Sequence, residues 1–300
     1  MITINNVTKR YSNGVVSLDK ITLNIQKGSV VGLIGTNGAG KSTLLRILSG
    51  ILREDEGEVL VEGEKVFENS YIKSRISFVS DEGYLLNNFT LESMAEIYAS
   101  MRENFSHEKF HRLCASMHLD PTRRINTFSK GMRRQGEVIL ALSSGTEYLF
   151  FDETFDGLDP IARENARRMI AEAVSDSNTT VILSSHNLSE IENICDSIVL
   201  IDAGRLLFQK SVESAVENTR KYQAVFEKEC EAEFVGSDFV QVKKSGKLVT
   251  FISQAGEDGV RDVIERCYPD NPLVYLESVV LTLEEIFSLE VEKSHLKGGF

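Results

Sequence analysis

The chain of 300 residues is 42% apolar and 26% charged, the proportions of a soluble globular protein with one large α/β domain and a smaller one. A formal net charge of −12 opposes the basic surface that general nucleic-acid binding needs, so no nucleic-acid partner is expected. No apolar run approaches the roughly 18 residues of a membrane span, and residues 1–6 lack the basic start and apolar stretch of a signal peptide.

In chain order, residues 2–7 and 21–25 alternate apolar and polar side chains, as half-buried strands do. Tyr11 opens the loop between them; its ring can stack on a purine base or serve only as packing. Residues 30–34 read as a short buried strand and residues 44–48 as the first turns of a helix. Between them stands Gly35-Thr36-Asn37-Gly38-Ala39-Gly40-Lys41-Ser42-Thr43, which fits Gly-x-x-x-x-Gly-Lys-Ser/Thr. Its glycines let backbone N–H groups turn inward with no Cβ in the way. Those groups and the positive end of the helix then face phosphate oxygens. Lys41 adds a point charge for the β- and γ-phosphates, and the Ser42 hydroxyl suits Mg²⁺. This stretch, with Thr43, is expected to bind a nucleoside triphosphate.

Residues 57–61 and 76–79 read as further strands, after which the period changes to that of helices. Thr90 and Ser106 are placed as N-caps, and Phe110, Leu113, Cys114 and Met117 share one apolar face. Residues from about 82 to 144 are therefore expected to form a helical insertion. Cys114, Cys195, Cys230 and Cys267 show no paired metal spacing and read as reduced thiols. Residues 148–151 form an apolar run leading into Asp152-Glu153, and Pro160 suits the first turn of a helix reaching about residue 174. Residues 180–183, 197–202 and 205–210 read as strands, the last two flanking Ala203-Gly204 as in a hairpin. The alternation of strands and helices indicates a largely parallel sheet covered by helices. From about residue 211 a charged helix over 212–220, strands over 222–227, 239–243 and 248–253, and helices over 258–267 and 282–289 make a small α+β tail.

A phosphate loop needs a further Mg²⁺ contact and a group that activates water. Asp152, ending its strand, can reach the ion or its bound water. Glu153 can polarise a water for in-line attack. The pair could equally cap the next helix.

With these residues in place, the chain resembles the ATP-binding subunit of an ABC transporter over roughly residues 1–210. The mark of that family is a Leu-Ser-Gly-Gly-Gln-like motif opening a helix, which stands here as Phe128-Ser129-Lys130-Gly131-Met132. Ser129 can cap that helix, leaving N–H groups to meet a second anion. The resemblance implies that this anion is the γ-phosphate on another subunit, so that Ser129, Lys130 and Gly131 act in trans in a head-to-tail dimer of two ATP-binding chains, identical or different. It implies a P-loop core (about 1–210) with a parallel-rich sheet, an antiparallel portion and the helical insertion, followed by the C-terminal domain (about 211–300). It also implies ATP and Mg²⁺ as cofactors, Tyr11 stacked on adenine, Asp159 in the loop crossing the dimer interface, and His186 at the γ-phosphate.

Three departures stand out. Ser80-Asp81-Glu82 occupies the place of the family's usual Gln, with Asp81 as the aligned residue. A carboxylate there remains a hard oxygen ligand but adds negative charge beside the phosphates. Lys130 and Met132 alter the signature, and Thr154-Phe155 replaces a Pro-Thr pair. The Ser-Lys-Gly-Met signature and the 283–287 ending are similar to the bacitracin- and multidrug-type bacterial exporters. The expectation is an ATPase at the cytoplasmic face of the membrane, powering a separate transmembrane permease subunit that docks near residues 81–86. The alternatives are a nucleotide-gated regulatory module with little hydrolysis, or a soluble non-transport ABC ATPase.

Overall fold

The structure is a computed structural model, and it describes residues 1–155, 158–185, 194–212, 214, 220–230 and 239–297. The chain divides into two compact units, Met1–Gln209 and Lys210–Phe300.

Two sheets build the first unit. One is antiparallel: β1 (Ile2–Arg10) lies between β2 (Val16–Ile25) and β4 (Glu56–Val61), with the short β5 (Glu64–Lys65) beyond β4. Ile2, Ile4 and Val7 of β1 are buried, although the last two are three residues apart. The register shifts between them, with Asn6 at φ +49°, so the bulge moves the strand's phase and lets it run on to Arg10. Strict alternation therefore reveals only its first part.

The second sheet runs β10-β9-β3-β8-β7-β6. Its members are β3 (Val30–Ile34), β6 (Ile76–Val79), β7 (Tyr148–Asp152), β8 (Thr180–Ser185), β9 (Ser197–Asp202) and β10 (Arg205–Ser211). Pairs β3/β8, β3/β9, β6/β7 and β7/β8 are parallel. Every residue of β3, β7 and β8 is buried, which is why they read as apolar runs up to the polar residues at the ends of β7 and β8. Helix α1 (Lys41–Leu48) follows β3, and the short α2 (Ser70–Ser74) precedes β6. The 82–144 stretch carries α3 (Leu91–Met101), α4 (His107–Ser116) and α5 (Lys130–Ser143). Thr90, Ser106 and Ser129 cap them, each accepting a backbone N–H three residues on. Helix α6 (Pro160–Ser177) follows β7, opened by Pro160 as the sequence indicates.

Two carboxylates clamp the sheets of this unit. Glu147 accepts Nε and Nη2 of Arg75 at 2.6 and 2.8 Å and Lys27 Nζ at 2.8 Å. Glu62 accepts the N-terminal ammonium at 2.8 Å and the Tyr148 hydroxyl at 2.6 Å. These bonds hold both carboxyls down to about 2.

In the second unit, β11 (Arg220–Phe226), β12 (Val240–Ser245), β13 (Leu248–Ser253) and β14 (Leu273–Val280) form an antiparallel sheet ordered β12-β13-β11-β14. Helix α7 (Glu257–Cys267) places Val260 and Ile264 on a core of Tyr222, Phe226 and Phe251, and α8 (Leu283–Lys297) ends the chain's described part. Strand β14 is absent from the sequence reading: it lies at a sheet edge, with Val274 and Tyr275 exposed, so alternation does not mark it. Of the expected 212–220 helix, Arg220 instead opens β11, and 213 and 215–219 lie outside the described residues.

Because the Glu147 pKa is lowered on folding, its stabilisation is full above the unfolded value near 4.5 and is lost as pH falls toward about 2. Its side chain is 37% exposed, so screening reduces the contribution to about 1–2 kcal/mol. The stability gap between the parent chain and Glu147→Gln, followed by urea unfolding, is predicted to be constant from pH 5 to 7. It should close progressively below pH 4.5.

Candidate nucleotide site

The loop from Gly35 to Gly40 sits where the C-terminal ends of β3, β7 and β8 converge, between β3 and α1. Its path depends on two close approaches. A Cβ at Gly35 would lie 2.3 Å from the carbonyl oxygen of Ile201, and one at Gly40 would lie 2.5 Å from that of Ser17. Gly40 also has φ +107°, open only to glycine at low cost. From behind, the Gly204 N–H donates to Ala39 O at 3.0 Å and the Thr36 hydroxyl to Asp202 at 3.1 Å. The loop wraps a cavity of about 310 Å³ lined by Ser17, Asn37, Gly38, Ala39, Gly40, Lys41, Ser42, Thr43 and Glu153.

Lys41 is 4% exposed and donates to the carbonyls of Gly35 and Thr36 at 2.8 and 3.2 Å, with Glu153 Oε1 at 3.6 Å. The ammonium is thus held by its own loop and a carboxylate, both of which an arriving polyphosphate can replace. Asp152 ends β7 fully buried. Its Oδ1 accepts two hydroxyls, Ser42 at 3.0 Å and Ser184 at 2.7 Å. Its Oδ2 is buried with no hydrogen-bond partner among the described residues. Glu153 has φ +46°, a left-handed backbone that turns its side chain out of the strand's alternation. Its N–H donates to the carbonyl of Ser184 at 3.1 Å and to the Ser184 hydroxyl at 3.0 Å.

Tyr11 reaches the same loop from the antiparallel sheet. Its hydroxyl lies 3.1 Å from that of Thr43, which also accepts the Ser17 hydroxyl at 2.8 Å, and the residue remains 37% exposed. A partly exposed aromatic is therefore anchored to the loop through its hydroxyl.

At the start of α5, Ser129 accepts the Met132 N–H at 3.2 Å, while Ser129 and Lys130 are exposed and Gly131 half-buried. Asp159 caps α6, accepting the N–H groups of Ile161 and Ala162, both at 3.0 Å. His186 and Gly157 lie outside the described residues.

Asp81 is absent from the lining of the phosphate cradle and turns instead toward α5. Its carboxylate accepts Arg134 Nη2 at 2.9 Å, and the same guanidinium donates to the carbonyls of Ser80 and Asp81 and to Glu137 Oε2 at 3.0 Å. Glu137 accepts the Tyr84 N–H at 3.2 Å in return. Burial pushes the Glu137 carboxyl up, against the lowering pull of Arg134. The extra negative charge expected beside the phosphates is therefore paired with a buried cation. Arg134, Ser17 and Ser184 are missing from the sequence reading. Arginines read as surface residues, and serines carry no motif. For Ser184 a signal exists only in the strand register, which sets Asp152 opposite Ser184.

Removing Arg134 leaves Glu137, 2% exposed, without its cation, whereas the Asp81 side chain is 60% exposed. Arg134→Met is therefore predicted to cost about 3 kcal/mol or more in urea unfolding, and Asp81→Ala less than about 1 kcal/mol. Equal small losses would show that the cross-link is not holding the 80–84 segment to α5.

Against known families, residues 18–156 match the family model described as ABC transporter. The bacitracin transport ATP-binding protein BcrA of Bacillus licheniformis is 32% identical over 227 residues, 74% of this chain and 73% of that protein. The ABC transporter ATP-binding protein YtrB of Bacillus subtilis is 23% identical over 287 residues, 96% of this chain and 97% of that protein, so the similarity runs through the second unit. Among solved structures, a dimeric ATP-binding cassette in a post-hydrolysis state with ADP and Pi superposes with a TM-score of 0.64 at 21% identity, covering 71% of this chain and 99% of that one. The fold is that of such cassettes, with the phosphate loop, the Asp152 strand end and the capped α5 in one unit. The chain belongs to the ABC transporter ATP-binding family.

Proposed function

We propose that this chain binds MgATP in the Gly35–Thr43 cradle and hydrolyses it to drive a separate membrane-spanning permease, paired with a second ATP-binding chain. The observation that carries the reading is the Asp152 carboxylate, buried under the loop with one oxygen bonded to Ser42 and the other without a hydrogen-bond partner among the described residues. An orphaned buried carboxylate oxygen next to a hydroxyl is a hard-oxygen donor pair of the kind Mg²⁺ takes. Ser42 and Asp152 would hold the ion there, directly or through its waters. The ion, when bound, neutralises charge on the β- and γ-phosphates and orients them for in-line displacement.

Lys41 exchanges its loop carbonyls for phosphate oxygens, which releases Glu153 from its 3.6 Å ion pair. Freed in this way, Glu153 orients a water and accepts its proton. Tyr11 supplies the stacking face for adenine, and His186 is assigned to the γ-phosphate. The exposed N-terminus of α5, with Ser129, Lys130 and Gly131, suits an anion presented by a second cassette. The dimer captured for the solved cassette with ADP and Pi supports that pairing. On this reading Asp159 faces the second chain.

Among the described residues no helix is long and apolar enough to cross a membrane, and this reading assigns the membrane crossing to a partner polypeptide. Leu86 and Phe89 are exposed beyond the Asp81 segment and suit a docking partner of apolar character. This reading sets the chain on the cytoplasmic face of the membrane. The likeness to bacitracin transport proteins favours export.

Glu153→Gln tests the central assignment. Phosphate release is expected to fall at least about 100-fold while ATP binding persists and ATP shifts the variant from monomer to dimer in size-exclusion chromatography. Turnover at the parent rate would overturn Glu153 as the base.

A further inference from the structure

We infer that Ser184, at the C-terminal end of β8, is a positioning residue that presents Asp152 to the metal and holds Glu153 at the phosphate loop. It rests on the reading that Ser42 and Asp152 hold Mg²⁺. Ser184 is 1% exposed, and the parallel register sets it directly opposite Asp152. One hydroxyl then makes two bonds: it donates its proton to Asp152 Oδ1 at 2.7 Å and accepts the Glu153 N–H at 3.0 Å.

The first bond decides which carboxylate oxygen is free. Ser42 and Ser184 both donate to Oδ1, and Oδ2 is left without a hydrogen-bond partner among the described residues. The Ser42 oxygen is itself a ligand candidate, so its hold on Oδ1 loosens once the ion takes it. Ser184 has no such second duty and keeps the carboxylate from swinging about its last torsion. The second bond bears on Glu153, whose φ of +46° is costly for a residue with a Cβ. Its N–H is shared between the Ser184 carbonyl and hydroxyl, which fixes the turn that brings its carboxylate within 3.6 Å of Lys41. One side chain thus sets the orientation of the metal carboxylate and the exit angle of the base, as outer-shell partners of metal ligands do.

The test uses the full chain carrying Glu153→Gln, so that bound ATP is not consumed, and calorimetry with ATP in Mg²⁺ and in EDTA. That parent is expected to bind ATP more tightly with Mg²⁺. Adding Ser184→Ala should remove about tenfold of the Mg²⁺-dependent affinity and leave the EDTA affinity unchanged. The melting temperature should move by only about 2–4 °C. Ser184→Thr, which keeps a hydroxyl, should regain the Mg²⁺ dependence. Full Mg²⁺ dependence in Ser184→Ala would overturn the inference, as would equal losses with and without Mg²⁺, the mark of a merely structural residue. A parent indifferent to Mg²⁺ would instead overturn the metal reading beneath it.

Discussion

The arrangement turns on one buried carboxylate. Asp152 stands at the end of a fully buried strand, with both serine hydroxyls on one oxygen and, among the described residues, no hydrogen-bond partner on the other. A buried oxygen without a donor is costly, and the natural relief is a cation. The neighbouring sequence serves that position. Strands β3 and β8 bring the phosphate loop and Ser184 to the same edge because parallel strands end together. The glycines at 35 and 40 let the loop lie against Ile201 and Ser17, and the β9–β10 turn supports it from behind. Lys41 and Glu153, each the other's nearest opposite charge in the cradle, are held ready by a contact that polyphosphate can displace.

A second polar cross-link ties the segment after β6 to α5. The Arg134 guanidinium is 5% exposed and spans carbonyls at 80 and 81, the Asp81 carboxylate and Glu137. Arg134 lies in the second turn of α5, so this cross-link joins the 80–84 segment to the N-terminal part of that helix by packed, charged bonds. It also removes the electrostatic conflict that an acidic residue near the phosphates would pose.

The features legible in the sequence were local ones. A glycine pattern between a strand and a helix, and a serine three residues ahead of an N–H, are written in neighbouring positions, so the cradle and the caps of α3, α4 and α5 could be read directly. Features that depend on distant neighbours were less visible. The bulge at Asn6 hid the second half of β1, and the exposed edge of the second sheet hid β14. Ser184 carries no motif because its importance comes from lying opposite Asp152, 32 residues away in the chain. Arg134 carries no local mark because its burial is created by the loop it binds. Asp81 stands in the sequence where the family has Gln, but its carboxylate is paired with Arg134 of α5.

The most direct measurement is the position of the metal itself. Crystals of the chain grown with ATP and Mn²⁺, with data collected for anomalous scattering, would show it without reference to activity. The account predicts one strong peak about 2 Å from Ser42 Oγ, with Asp152 Oδ2 touching the ion or one of its waters. A metal bound away from both residues, with Asp152 Oδ2 still unpartnered, would contradict it.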